Sequence, residues 1–282
     1  MEQPPERVVS LVPSETEAVC LLGKLAHLVG RTDYCIEPAQ VVASVVSVGG
    51  TKSVDVSRVL ALEPDLVLAN KEENTRSTIE QLITAGMTVH VSFPTTVRAS
   101  VAYLETLCVL LGVDPGSSRA MQACVDVIAR PVADACCDVC VLIWKDPWMT
   151  CNEQTFASDI LTMAGGRNVF GGRARRYPLA ADIGTDEPLG PGRVGDRDTR
   201  YPRVTVDEIA SLCPSLVLLP DEPYAFTADD GRELQEGLRA RGCSAEIAYV
   251  DGKHLFWYGP RIAQAIPALA ALLSSTLRES AL

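Results

Sequence analysis

The three tryptophans, Trp144, Trp148 and Trp257, all fall in the second half of this 282-residue chain. With Tyr177, Tyr201, Tyr224, Phe226, Phe256 and Tyr258 they follow apolar strand-like runs or sit in loops, not at helical core spacing. Trp144-Lys145-Asp146-Pro147-Trp148 directly follows one such run. Phe256-Trp257-Tyr258-Gly259-Pro260-Arg261 lies between the last strand-like run and the last helical one. In an open α/β sheet the loops at the carboxyl ends of strands bind ligands, and large aromatics there suit a flat, partly apolar molecule. The competing reading is that the rings tuck onto their own lobe. The first half offers smaller groups at its strand ends: Pro13-Ser14, Asp33-Tyr34, Gly50-Thr51-Lys52 and Lys71-Glu72-Glu73-Asn74. A helix starting at Ser14 presents free amides to an anionic or amide group, although an N-cap with Glu17 completing a capping box accounts for the Ser14 hydroxyl by itself.

Reactive chemistry finds little support. His27, His90 and His254 are isolated, and no zinc-ligand spacing, nucleophile elbow, P-loop or dinucleotide fingerprint occurs. No catalytic residue and no metal ligand is therefore assigned. Arg173, Arg175 and Arg176 form a basic cluster that either meets a carboxylate or phosphate or faces solvent. Of ten cysteines, Cys20, Cys108, Cys140 and Cys213 lie in apolar segments, as reduced core thiols do. One C-x-x-C, Cys137 to Cys140, runs into a strand and has no second pair, which fits neither a zinc site nor a redox motif.

The net charge of −11 argues against nucleic acid and anionic membrane surfaces as partners. No apolar run is long enough to cross a bilayer, and the first six residues, acidic and proline-bearing, show no signal-peptide pattern. The expectation is a cytoplasmic protein as written, or an extracytoplasmic one if its native start differs.

The elements that must position these residues alternate between strand and helix, the signature of parallel α/β architecture. Strands are expected at 7–12, 28–30, 45–48, 66–69 and 89–91, then at 139–143 and 247–250. A weak repeat has an offset of 150: Val54, Val56, Val59, Leu62, Pro64, Leu66, Val67 and Leu68 align with Val204, Val206, Ile209, Leu212, Pro214, Leu216, Val217 and Leu218, and Glu72 with Glu222. Each copy reads as a short helix, Leu-x-Pro, a buried strand and an acidic turn. We therefore expect two similar α/β lobes with a cleft: an N-terminal lobe over 1–94, a helical connector over 95–137 and a C-terminal lobe over 138–282. The last carries an inserted Gly/Pro-rich loop near 177–201, too long for an ordinary connection.

Arg7-Val-Val-Ser-Leu-Val-Pro-Ser-Glu-Thr-Glu17, Leu28-Val-Gly-Arg-Thr-Asp-Tyr34, Glu63-Pro-Asp-Leu-Val67 and Ala164-Gly-Gly-Arg-Asn-Val-Phe170 resemble the class III periplasmic binding proteins, or helical-backbone metal receptors. Their order and spacing span nearly the whole chain, and the resemblance is nearest to the vitamin B12-binding members. It implies two lobes joined by one long rigid helix, with the second connector helix, 117–135, as that backbone. It implies a corrinoid held whole between the lobes, with an iron-siderophore or haem as the alternative ligand, and no prosthetic group. Aromatic packing on the ligand then falls to Tyr34, Trp144, Trp148, Tyr201 and Trp257. The expected ligand-binding set is completed by Pro13, Ser14, Thr51, Lys52, Lys145, Phe256 and Arg261. Docking to an ABC permease uses one acid per lobe; Arg76 and Trp257 stand at the aligned positions, and Glu72 and Glu222 are the substitutes. The expected protein is a monomeric, non-catalytic binder without membrane insertion; a cytosolic enzyme acting on a cofactor precursor is the rival of a different class.

Overall fold

The protein is described from a computed structural model covering residues 3–131, 137–190 and 192–280. It divides into two compact units, one of residues 1–129 with Trp257–Ala263, the other of Arg130–Phe256 with residues 264–282.

Unit one opens with strand β1 (Val8–Ser10) and helix α1 (Pro13–Leu21), followed by β2 (Leu28–Arg31), α2 (Ala39–Val42) and β3 (Val46–Ser47). Then come α3 (Val56–Ala61), β4 (Leu66–Asn70), α4 (Arg76–Thr84) and β5 (Val89–Ser92). The five strands form one parallel sheet in the order β3-β2-β1-β4-β5. β1 and β4 are buried along their whole length, as central parallel strands covered on both faces must be. Val9, Leu11, Val48, Val59, Val67, Ala69 and Leu82 form the core that the sheet closes.

The part of the expected connector up to Ala129 belongs to this unit. Its first helix is α5 (Val97–Leu110), capped by Thr96; its second is α6 (Arg119–Ile128), capped by Ser118. Here the sequence expectation is corrected. The second helix has ten residues and closes on Ala129, short of a backbone reaching 135. Pro131 explains the stop, because the residues before a proline are pushed out of the helical region. Residues 132–136, which include the rest of that expected helix and Cys136, lie outside the described residues, as does Pro191 of the inserted loop.

Unit two contains β6 (Cys137–Trp144), β7 (Met149–Thr150), α7 (Phe156–Met163), β8 (Gly166–Asn168) and α8 (Leu179–Asp182). It continues through α9 (Val206–Leu212), β9 (Leu216–Pro220), α10 (Ala228–Arg239), β10 (Glu246–Val250) and α11 (Lys253–Phe256), and ends in α12 (Ile262–Ser280). β10, β9, β6 and β8 are parallel neighbours; β7 folds back antiparallel on β6.

The repeat is structural. β4 and β9 begin 150 residues apart, each beside the first strand of its own sheet and each carrying the next parallel strand on its far side. Even the irregular residue recurs: Glu63 (φ 45°) and Cys213 (φ 41°) both turn left-handed between helix and proline. That conformation is uncommon for a residue with a Cβ, yet it lets the helix end and the Leu-x-Pro segment drop into the sheet. Cys213 is consequently exposed, not a core thiol as its apolar flanks suggest.

Candidate functional site

In unit two, β6 and β9 are adjacent, so the loops at their carboxyl ends meet. Trp144 ends β6, and its ring lies edge-on to Tyr224 with centroids 5.4 Å apart. Tyr224 packs on Phe226 at 4.7 Å, and Phe226 stacks on Trp148 at 6.0 Å with planes 9° apart. Four rings from two loops thus form one continuous aromatic set, offset and edge-on as ring quadrupoles prefer. Trp144 is 44% exposed. Trp148 and Phe226 also pack against the core of Cys140, Phe170 and Leu234, so the set is anchored at one end and open at the other.

Lys145 lies inside this arrangement. Its ammonium donates to Asp230 Oδ1 at 2.8 Å and Glu233 Oε2 at 2.6 Å, and stands 5.6 Å from the Trp148 ring centroid. Asp230 closes a capping box with Thr227 at the start of α10. The hydrogen bond from Lys145 comes first among the causes that pull the Asp230 carboxyl down to about 2. Lys145 therefore ties the β6–β7 turn to α10, and its charge is matched by unit two's own acids.

Tyr201 lies on a stretch running antiparallel to β7. Val204 N donates to Trp148 O, Thr150 N to Pro202 O and Asn152 N to Arg200 O. The Arg200 guanidinium covers the Tyr201 ring at 5.2 Å. Phe256, half-buried, ends α11.

Unit one gathers polar strand ends. Asn74 Nδ2 donates to Leu11 O and Thr51 O, while Asn70 Oδ1 accepts from Glu72 N at 2.7 Å. Lys52 Nζ donates to the Glu72 carbonyl. Thr51 is buried, and Tyr34 is 64% exposed. Burial pushes the Glu73 carboxyl up, against the pull of Lys52. Glu72 and Glu222 both sit half-buried after equivalent strands.

Three expectations need correction here. Pro13 and Ser14 are buried within α1, whose N-cap is Val12 with no side-chain cap, so the Ser14–Glu17 capping box does not form. Glu17 instead makes a two-pronged ion pair with Arg261, with Arg261 Nε to Glu17 Oε2 at 2.9 Å. Arg261 is 7% exposed and lies over the Trp257 ring at 5.0 Å. Trp257 and Arg261 therefore belong to the packing of unit one, not to an aromatic grip in the C-terminal lobe. Tyr224 and Phe226 are the members the sequence reading left out of its binding set. No local signal singled them out, because the neighbouring of β9 and β6 that brings them to Trp144 and Trp148 is set by the strand order.

A buried polar network accompanies that return of the chain. Glu15 Oε1 accepts from Tyr258 OH at 2.7 Å and from Ser92 Oγ, and Asn70 Nδ2 donates to Tyr258 OH at 3.1 Å. Desolvation raises the Glu15 carboxyl to about 7 against the lowering effect of Ser92, Tyr258 and Tyr103. Among the described residues no group of His, Cys, Asp and Glu is placed to hold a metal ion, and no helix is long and apolar enough to cross a membrane.

Two α/β units on parallel-dominated sheets, with strand-end loops presenting aromatic and polar groups, define a ligand-receptor architecture. The chain belongs to the periplasmic binding protein family, whose model matches residues 8–177. Vitamin B12-binding proteins of Photorhabdus laumondii and Yersinia pestis are 27% and 29% identical to it over 181 and 175 residues, or 62% and 60% of this chain. These matches span 64% and 61% of the relatives, under two thirds of their length. The fold is that of the class III members. A periplasmic vitamin B12-binding protein of Vibrio cholerae superposes with a TM-score of 0.75 at 19% identity, covering 97% of this chain and 98% of its own. A periplasmic haem-binding protein of Pseudomonas aeruginosa does so with 0.70 at 23% identity, covering 95% and 92%.

Proposed function

We propose that this chain is a non-catalytic receptor that holds a corrinoid, cobalamin or a near relative, as a bound ligand. The observation that carries the reading is the Trp144–Tyr224–Phe226–Trp148 set at the carboxyl ends of two neighbouring strands. A surface of four rings offers a flat macrocycle apolar area without demanding a reactive group. The vitamin B12-binding relatives support the corrinoid among flat ligands. Tyr34, Thr51 and Lys52 at the strand ends of unit one, and Tyr201 of unit two, are the polar and aromatic groups proposed to complete the contact. Glu72 and Glu222 are proposed as paired docking acids for an ABC permease, which would place the working protein outside the cytoplasm.

Cobalamin added to the purified protein is expected to raise its melting temperature, by an amount corresponding to about 3 kcal/mol at a hundredfold excess over Kd, and to perturb the corrin absorption bands. If neither changes at millimolar ligand, the corrinoid reading is wrong. Haem or an iron-siderophore is the second reading, favoured by the concentration of arginine beside the aromatic set.

A further inference from the structure

Cys213 and Cys243 stand just before the neighbouring strands β9 and β10. The strands run parallel with Glu246 opposite Leu216, and Glu246 N donates to Ser215 O at 3.0 Å. Three residues back from that pair, one on each chain, are Cys243 and Cys213, so the register brings them side by side. Neighbouring strands lie about 4.8 Å apart, inside the range of Cα separations that a disulfide bridges.

Two turns fix these positions. Cys213 closes α9 in a left-handed conformation (φ 41°), its N–H donating to Ile209 O at 3.1 Å. After α10 the chain turns through Gly242 (φ 78°), and Cys243 N donates to Leu238 O at 3.0 Å. The two thiols are in hydrogen-bonding contact. Cys243 is 1% exposed and belongs to the core of Ile209, Leu234 and Leu238, whereas among the described residues Cys213 is the one exposed cysteine. Burial pushes the Cys243 thiol up, and the contact with Cys213 adds to the rise. The turns themselves do not demand thiols. Unit one builds the same two with Glu63 (φ 45°) and with Met87 after Gly86 (φ 85°), whose N–H donates to Leu82 O.

We propose that Cys213 and Cys243 form a thiol pair that a small-molecule disulfide oxidises to an intramolecular disulfide. Cys213, the exposed thiol, is the point of entry. Its thiolate attacks one sulfur of the oxidant, forms a mixed disulfide and expels one thiolate. Cys243 then gives up its proton and attacks Cys213 Sγ, which makes the internal bond and expels the second thiolate. Two electrons pass from the cysteine sulfurs to the oxidant, and the two thiol protons end on its two halves. The bond closes a loop over residues 213–243 that carries Tyr224, Phe226, Asp230 and Glu233. It lies at the amino end of β9, about 16 Å of strand away from the aromatic loop. Oxidation therefore clips the base of the sheet, leaves the rings untouched, and stabilises the fold by restricting the unfolded chain.

The test incubates the reduced full-length protein with glutathione disulfide, alkylates it in denaturant and maps its peptides by mass spectrometry. Two peptides joined through Cys213 and Cys243 are expected, released by dithiothreitol. The oxidised form should melt higher, by on the order of 5 °C. Cys243→Ser should stop the reaction at its first step and leave glutathione on Cys213. In the wild type, a lasting glutathione adduct on Cys213 with Cys243 still alkylated overturns the proposal. So does recovery of both thiols unreacted, or a bond from either cysteine to a third. These wild-type results decide the matter whether or not the variant folds, and a joined pair with an unchanged melting temperature removes the stabilising role.

Discussion

At the scale of the residue, Glu15 is the most informative group. It is buried on α1, receives two hydroxyl donors on one oxygen, and its Oε2 lacks a hydrogen-bond partner. Its folded value, about 7, lies above the ordinary 4.5. A raised carboxyl favours the protonated native state, so this contribution is fully present below pH 4.5 and is lost as pH rises towards 7. The full swing is on the order of 3 kcal/mol. Glu15→Gln, which keeps the shape and removes the titration, is expected to flatten the fall in denaturation midpoint between pH 4.5 and 7; an unchanged slope would assign the titration elsewhere. Tyr258→Phe removes a donor to Glu15 and an acceptor for Asn70, and should cost about 1–3 kcal/mol of stability in urea melts. None of this was legible in Ser14-Glu15-Thr16-Glu17. Local rules read a capping box there, while Tyr258 and Arg261, which bond to the two glutamates, lie 243 and 244 residues away.

At the scale of the element, the strands were legible because central parallel strands are continuous apolar runs, and β4 and β9 stand where the repeat puts them. Apolar periodicity marked the helices, whereas the caps that start them, Thr75, Thr96 and Ser118, are seen only in the structure. What sequence could not show was which loops meet, since that depends on the order β10-β9-β6. The β6–β7 turn gives the clearest test. Lys145→Ala deprives Asp230 of an ion pair and should destabilise the protein by about 1–3 kcal/mol. The variant should also lose the part of its acid resistance that depends on a depressed Asp230: that stability is present above pH 3.8 and disappears as pH falls to about 2. Trp148→Ala should weaken cobalamin binding by about 1–3 kcal/mol in a titration, whereas wild-type affinity would remove that ring from the contact.

At the scale of the whole molecule, the two-lobe duplication was legible, but the partition was not. A boundary drawn once, near 137, cannot anticipate that Trp257–Ala263 belongs with the N-terminal unit. Unit one is held closed by that return: Gly259 N donates to Ser100 Oγ at 2.7 Å, Arg261 neutralises Glu17, and Tyr258 caps Glu15. Deleting residues 257–282 is therefore expected to unfold unit one along with unit two, read as loss of protease resistance in both halves. For the proposed permease docking, reversing both Glu72 and Glu222 to lysine should abolish capture by permease-containing vesicles while leaving ligand affinity within twofold.

The late return has a consequence for how the protein is made. During synthesis the first 129 residues emerge with Glu15 and Glu17 of α1 still lacking Tyr258 and Arg261, which bond to them in the finished fold. These contacts of unit one can form only after residue 261 has left the ribosome. The N-terminal unit thus takes its final packing from a seven-residue segment, Trp257–Ala263, delivered late in synthesis.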